Sequence, residues 1–134
     1  MRRGDFIDQC WDGRPKELCL IPLSKFQKEV DRIRDELERK QELVVDQVVI
    51  MSDEEDPAFW KEVESIGWVR FDHLKELTLE KYGEWMPPVL DQVAQSMAVG
   101  FVGTYDSTFS LVSMRRVQDW NHGLASLVDR DPFH

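Results

Sequence analysis

The run Val44-Val45-Asp46-Gln47-Val48-Val49-Ile50-Met51 limits what this chain can fold into more than any other segment. It is rich in β-branched residues and shows little apolar–polar alternation. That is the pattern of a strand covered by helices on both faces, as in a parallel sheet. The predicted strand therefore spans Val44 to Met51, and a parallel sheet in turn demands helical crossovers on either side of it.

The flanking sequence supplies them. Ser24 to Gln41 reads as a helix, with Phe26, Val30, Ile33 and Leu37 at spacings of four, three and four forming one apolar stripe. Ser24 and Gln27 have the spacing of a capping box, and Glu29 with Arg32 and Asp35 with Arg39 suit pairing along the polar face. Pro57 fits the first turn of a short helix, Phe59, Trp60, Val63 and Ile66 give it an apolar side, and Gly67 suits its end. Trp68 to Phe71 is a second, short strand. Asp72 to Trp85 is ambiguous, with a helical turn or two from Glu76 to Tyr82. A helix beginning at Pro87 or Pro88 is expected to turn Val89, Leu90, Val93 and Met97 inward. Val99 to Gly103 is a third strand, a last helix runs from Ser107 to about Trp120, and a polar tail follows to His134. The expected fold is one α/β domain over residues 1–134 with a mainly parallel sheet and flanking helices. Residues 2–22, with Gly4, Gly13, Pro15 and Pro22, read as loop.

A length of 134 residues can bury a core without metal or disulfide staples, and 42% hydrophobic residues place the chain among globular proteins. The balance of 17 basic against 26 acidic residues, a net charge of -9, argues against general nucleic-acid binding and against an anionic membrane surface. A phosphate-bearing ligand stays compatible with that charge, because local arginines and helix N-termini act at short range. No segment has the length and apolarity of a membrane span, Met-Arg-Arg-Gly-Asp has no apolar signal-peptide core, and the single asparagine, Asn121, lies in no glycosylation sequon. Cys10 and Cys19 fit either one short-range disulfide or two free thiols, and their spacing matches no zinc pattern.

Among segments able to carry chemistry, Phe101 to Ser110 stands out. A buried strand ends at Gly103, the chain turns, and a helix begins near Ser107. Small hydroxyl residues there can cap the free amides or help bind an anion. In open α/β sheets, ligands sit beyond the carboxyl ends of the strands. An ordinary capped helix explains the same residues, and Asp106 places negative charge beside any anion. Arg2 and Arg3 suit phosphate contacts, or form a solvated basic end. The acidic turn Ser52-Asp53-Glu54-Glu55-Asp56 lacks the spacing of a calcium loop and reads as solvated. His73, His122 and His134 are widely spread with no paired nucleophile, and the chain has no nucleophile elbow of an α/β hydrolase. Asp91 reads either as an exposed helix carboxylate or as an acceptor for a ligand's N–H groups.

Three blocks in order resemble the C-terminal part of the GDP-fucose protein O-fucosyltransferases, especially fungal ones. Arg2-Arg3-Gly4-Asp5-Phe6, with Cys10 after it, is similar to the end of that family's His-x-Arg block. Val48 to Glu54 is similar to its strand ending in Ser-Asp-Glu, and Phe101 to Arg116 to its Phe-x-Gly block. The resemblance implies a Rossmann-like, GT-B-type half that holds GDP-fucose, and transfer of fucose to an acceptor hydroxyl on a protein or glycan. It assigns Arg2 to the diphosphate and the leaving of fucose. It assigns Ser107, Thr108 and Phe109 to the diphosphate and nucleotide, and Asp91 to guanine. No metal is implied. The family's block opens with histidine, whereas here Met1 stands just before Arg2, and the strand and N-terminal domain that precede the block in the family have no counterpart in the chain. The isolated chain is therefore expected to have little transferase activity, and its sheet to carry a gap or open edge. The family works in the secretory pathway. The competing expectation is a non-enzymatic binding or interaction module, with the Ser24–Gln41 helix as contact surface.

Overall fold

The computed structural model describes residues 20–129. Arg2, Cys10 and Cys19, with the block opening at Arg2, lie outside them. The described chain is mixed α/β. In order, it runs α1 (Leu23–Gln41), β1 (Val49–Ile50), α2 (Pro57–Ser65), β2 (Val69–Arg70), α3 (Thr78–Tyr82), α4 (Met86–Ser96), β3 (Gly100–Thr104), α5 (Thr108–Asn121) and β4 (Leu124–Val128).

Helix α1 forms where its stripe predicted. Phe26, Ile33 and Leu37 are buried, and so is Leu23 at its start. The capping box does not form. The helix begins one residue before Ser24, on Pro22, and no side chain caps it. Ser24 thus sits inside the first turn rather than before it. On the polar face Arg32 pairs with both Glu29 and Glu36, and Lys40 with Glu36, while Asp35 and Arg39 do not meet. The helix ends where Glu42 adopts a left-handed φ of 56° and its amide reaches the Glu38 carbonyl at 3.0 Å.

The strands differ most from expectation. All pairing is parallel, but it falls into two separate ladders of two strands each among the described residues, β1 with β2 and β3 with β4. Of the predicted Val44–Met51 strand only Val49 and Ile50 pair, opposite Val69 and Arg70. Nor is it covered on both faces. Ile50 is buried, whereas Val49 is half exposed and Val44 is 70% exposed. A strand extends only as far as its ladder partner, and β2 is two residues long. The polar tail expected after Trp120 is instead partly strand. Leu124–Val128 pairs residue for residue with Gly100–Thr104. Helix α5 is the crossover of this βαβ unit. At its return, Gly123 passes so close to the Val99 carbonyl that a Cβ would stand 2.3 Å from that oxygen. Helix α4 also departs from expectation. Val89 and Val93 are half exposed and Met97 is 77% exposed.

Two apolar clusters hold the elements. Leu23, Ile50, Phe59, Trp60 and Val63 join the start of α1 to β1 and α2. Ile21, Phe26 and Val128 join α1 to β4, with Val102 of β3 packed against them. Trp68 touches both clusters. Trp60 is further fixed by its indole N–H, which donates to the Glu54 carbonyl at 2.8 Å, and by the Arg70 guanidinium 3.9 Å above its ring. Asp56 caps α2 by accepting from the Ala58 amide at 2.9 Å, ahead of Pro57.

Leu37 is 1% exposed. Leu37→Ala should therefore lower the unfolding free energy by about 2–5 kcal/mol, read from urea denaturation. Glu29 ties α1 to β4 by accepting from the Ser126 hydroxyl at 2.6 Å. The hydrogen bond from Arg32, and then that from Ser126, hold its carboxyl below the ordinary value of 4.5. A depressed folded-state pKa gives stability that is present above the unfolded value and lost as pH falls through the folded one. Denaturation midpoints should thus drop as pH falls below 4.5. Glu29→Gln should flatten that acid limb, and an unchanged limb would show that the pair does not couple to folding.

Candidate functional site

The turn from β3 into α5 is the best-built feature of the surface. At its base Gly103 lets strand and helix approach. A Cβ there would lie 2.7 Å from the Ser110 Cβ and 2.7 Å from the Phe101 ring. Ser110 Oγ accepts from the Thr104 amide at 3.0 Å and so clips the strand end to the helix. The Tyr105 amide continues the ladder to the Val128 carbonyl at 2.9 Å. Asp106 then takes a left-handed φ of 63°, a conformation that Asp tolerates better than most residues. Ser107 closes the turn, its amide bonding the Thr104 carbonyl at 3.3 Å and its Oγ accepting from the Ser110 amide at 3.2 Å.

Ser107 is thus the N-cap of α5, as the sequence pattern predicted, and it is buried. Its hydroxyl oxygen is committed to the helix. Thr108 is exposed in the first turn, and Phe109 is partly buried beside it. The amides of a first helical turn point along the axis away from the helix, and the dipole makes that end positive.

Asp91 lies on α4. It is not the exposed carboxylate that a helix position would ordinarily give, since its side chain is 16% exposed. Oδ1 sits 2.7 Å from His73 Nε2, and His73 Nδ1 lies 3.0 Å from Thr78 Oγ1. Phe71 packs edge-on against the His73 ring at 4.8 Å. The Asp91–His73–Thr78 chain has the order of a catalytic relay, but Thr78 is 2% exposed, which denies its hydroxyl a substrate. The chain instead anchors α4 to the segment before α3. Leu77 beside it is held at a left-handed φ of 53°, which for a bulky residue costs about 1–2 kcal/mol.

Helix α4, which carries Asp91, is bonded to the first turn of α5. Gln92, next to Asp91, donates through Nε2 to the Phe109 carbonyl at 3.1 Å. Farther along the same interface Ser113 donates to Gln95 at 2.8 Å, and Asn121 donates to the Ser96 and Ala98 carbonyls, each at 2.8 Å. Arg2 lies outside the described residues. The pairing of His73 with Asp91 is what sequence reasoning missed. The two stand eighteen positions apart with no periodic relation, so nothing local signals the pair.

The acidic turn after β1 turns its groups on its own backbone. Ser52 Oγ accepts from the Glu54 amide at 3.2 Å, and Glu54 Oε1 from the Glu55 and Asp56 amides, each at 3.0 Å. Among the described residues no group of three or more His, Cys, Asp or Glu is gathered for a metal, and no helix is long and apolar enough to cross a membrane.

Gly103→Ala should destabilise the domain by about 1–3 kcal/mol by forcing β3 and α5 apart, measured by thermal denaturation. No known family model, curated protein or solved structure matches the chain.

Proposed function

We propose that the chain holds GDP-fucose as the donor-binding, Rossmann-like half of a fucosyltransferase-like protein. The observation that supports this reading is the position of Ser107, Thr108 and Phe109 at the start of α5, beyond the carboxyl end of a parallel strand, with α4, the helix of Asp91, bonded to that turn through Gln92. Ligand binding at that end of a parallel sheet follows from where helix N-termini and loops collect.

In this reading the diphosphate lies against the first-turn amides and the Thr108 hydroxyl, where the helix dipole favours negative charge. Ser107 shapes the turn by capping it. Asp91 has given Oδ1 to His73, and its second oxygen accepts from the N–H groups of guanine. Arg2 supplies the positive charge that stabilises GDP as it leaves. The reaction breaks the bond from the fucose anomeric carbon to the diphosphate oxygen and forms one to an acceptor oxygen, whose proton is lost. It takes place with inversion and without a metal.

A second reading, a protein-interaction module, draws on a different observation. Leu74, Trp85 and Met97 are 77%, 83% and 77% exposed. Side chains of that size left in solvent are where an apolar partner would gain buried area. The stripe of α1 does not serve that reading, because Phe26, Ile33 and Leu37 are already buried within the domain.

Titration calorimetry with GDP, and ADP as control, separates the two. Selective GDP binding is expected. Arg2→Ala should weaken it by about 1.5–3 kcal/mol, the worth of a charge-assisted hydrogen bond. Asp91→Asn should erase the preference over ADP. A folded chain that binds neither nucleotide would overturn the donor-binding reading in favour of the interaction module.

A further inference from the structure

Beyond the carboxyl end of β2 the chain is held more tightly than a connecting turn requires. Asp72 Oδ1 accepts from the Leu74 amide at 3.0 Å and from the Lys75 amide at 3.3 Å. The Asp72 carbonyl accepts from the Glu76 amide and the His73 carbonyl from the Thr78 amide, each at 3.0 Å. Leu77 keeps its left-handed φ of 53° inside this turn. Strain of this kind persists only where the surroundings over-determine the backbone, and it collects at ligand sites.

What the turn fixes is one carboxylate. A carboxylate accepts and does not donate, so the hydrogen between His73 and Asp91 lies on Nε2, and Nδ1 accepts from the Thr78 hydroxyl. Thr78 is 2% exposed, so the imidazole is anchored in the interior through one nitrogen and grips Asp91 with the other. Among the described residues no hydrogen bond reaches Asp91 Oδ2. Phe71 stands two positions before His73, edge-on to the imidazole with ring centres 4.8 Å apart, and is 43% exposed. An aromatic surface next to a fixed acceptor suits a flat ring that carries N–H donors on its edge.

We propose that Phe71, His73 and Asp91 form the base-recognition part of the donor site. Phe71 stacks on guanine, Asp91 accepts from the edge of the base, and His73 is the positioning residue that aims Asp91. This rests on the donor-binding reading above, and the Gln92 bond ties the helix of Asp91 to the turn assigned to the diphosphate. Guanine has two neighbouring N–H donors on that edge. Adenine sets an acceptor nitrogen beside its amino group there, and a carboxylate repels it, so the subsite selects partly by rejection.

The test uses the full chain with GDP, and ADP as control. In calorimetry Phe71→Ala should weaken GDP binding by about tenfold, the scale of losing one stacked base, and Phe71→Trp should keep it. His73→Phe removes the donor to Asp91 and should cut the preference for GDP over ADP by about tenfold, whereas His73→Gln retains a donor and most of the preference. In NMR of the unmutated chain, bound GDP should show a nuclear Overhauser effect from guanine H8 to the Phe71 ring, a readout independent of how any variant folds. Wild-type GDP affinity in both Phe71→Ala and His73→Phe overturns the subsite and leaves the donor-binding reading standing, as does bound GDP with no Overhauser effect to Phe71. No GDP binding by the folded, unmutated chain overturns both.

Discussion

The apolar stripe of α1 is the interaction on which the rest of the structure depends. No strand pairing connects the β1–β2 ladder to the β3–β4 ladder among the described residues. What joins them is one helix. Leu23 enters the cluster with Ile50, Phe59, Trp60 and Val63, and Phe26 enters the cluster with Val128. One turn of helix thus reaches two ladders, and Trp68 fills the space between the clusters. Hydrophobic contact is non-directional, so it can join ladders that have no hydrogen bonds in common. Loosening α1 would therefore separate the ladders rather than merely fray one end.

The α4–α5 side is built on a different principle. Its contact is laced by Gln92, Gln95, Ser113 and Asn121, and buried serines replace large apolar residues at Ser96, Ser110 and Ser113. Hydrogen bonds are directional, and this interface positions more than it adheres. It sets the Phe109 carbonyl, and hence the first turn of α5, relative to Asp91. The Asp91–His73–Thr78 chain continues the same network to α3. The candidate site thus rests on polar registration, while the core rests on α1.

Much of this was legible residue by residue. The stripe Phe26, Val30, Ile33 and Leu37 marked α1, and Pro57 marked the start of α2. The step from Gly103 to Ser107 marked a strand, a turn and a capped helix. These are local signals, carried by side-chain period and by the chemistry of helix ends. The sequence misled where a local pattern needed a distant partner. Val44 to Val48 has the composition of a strand, but β2 is too short to pair with it. Leu124 to Val128 lay within the polar tail expected after Trp120. It is a strand because α5 returns the chain alongside β3. Val89, Val93 and Met97 have the period of an inward face, but the packed face of α4 is the one carrying Gln92, Gln95 and Ser96.

By itself, then, the sequence determined the helices, the α/β class, the capped turn at Ser107 and the excess of negative charge. Each of these depends on residues within a few positions of one another, or on composition alone. Only the tertiary structure decided that the pairing is split into two ladders, that β4 exists, and that His73 engages Asp91. These are relations between residues far apart in the chain. A hydrogen-bonding edge or an acceptor is used only when folding brings a partner within about 3 Å, and no local pattern encodes that distance.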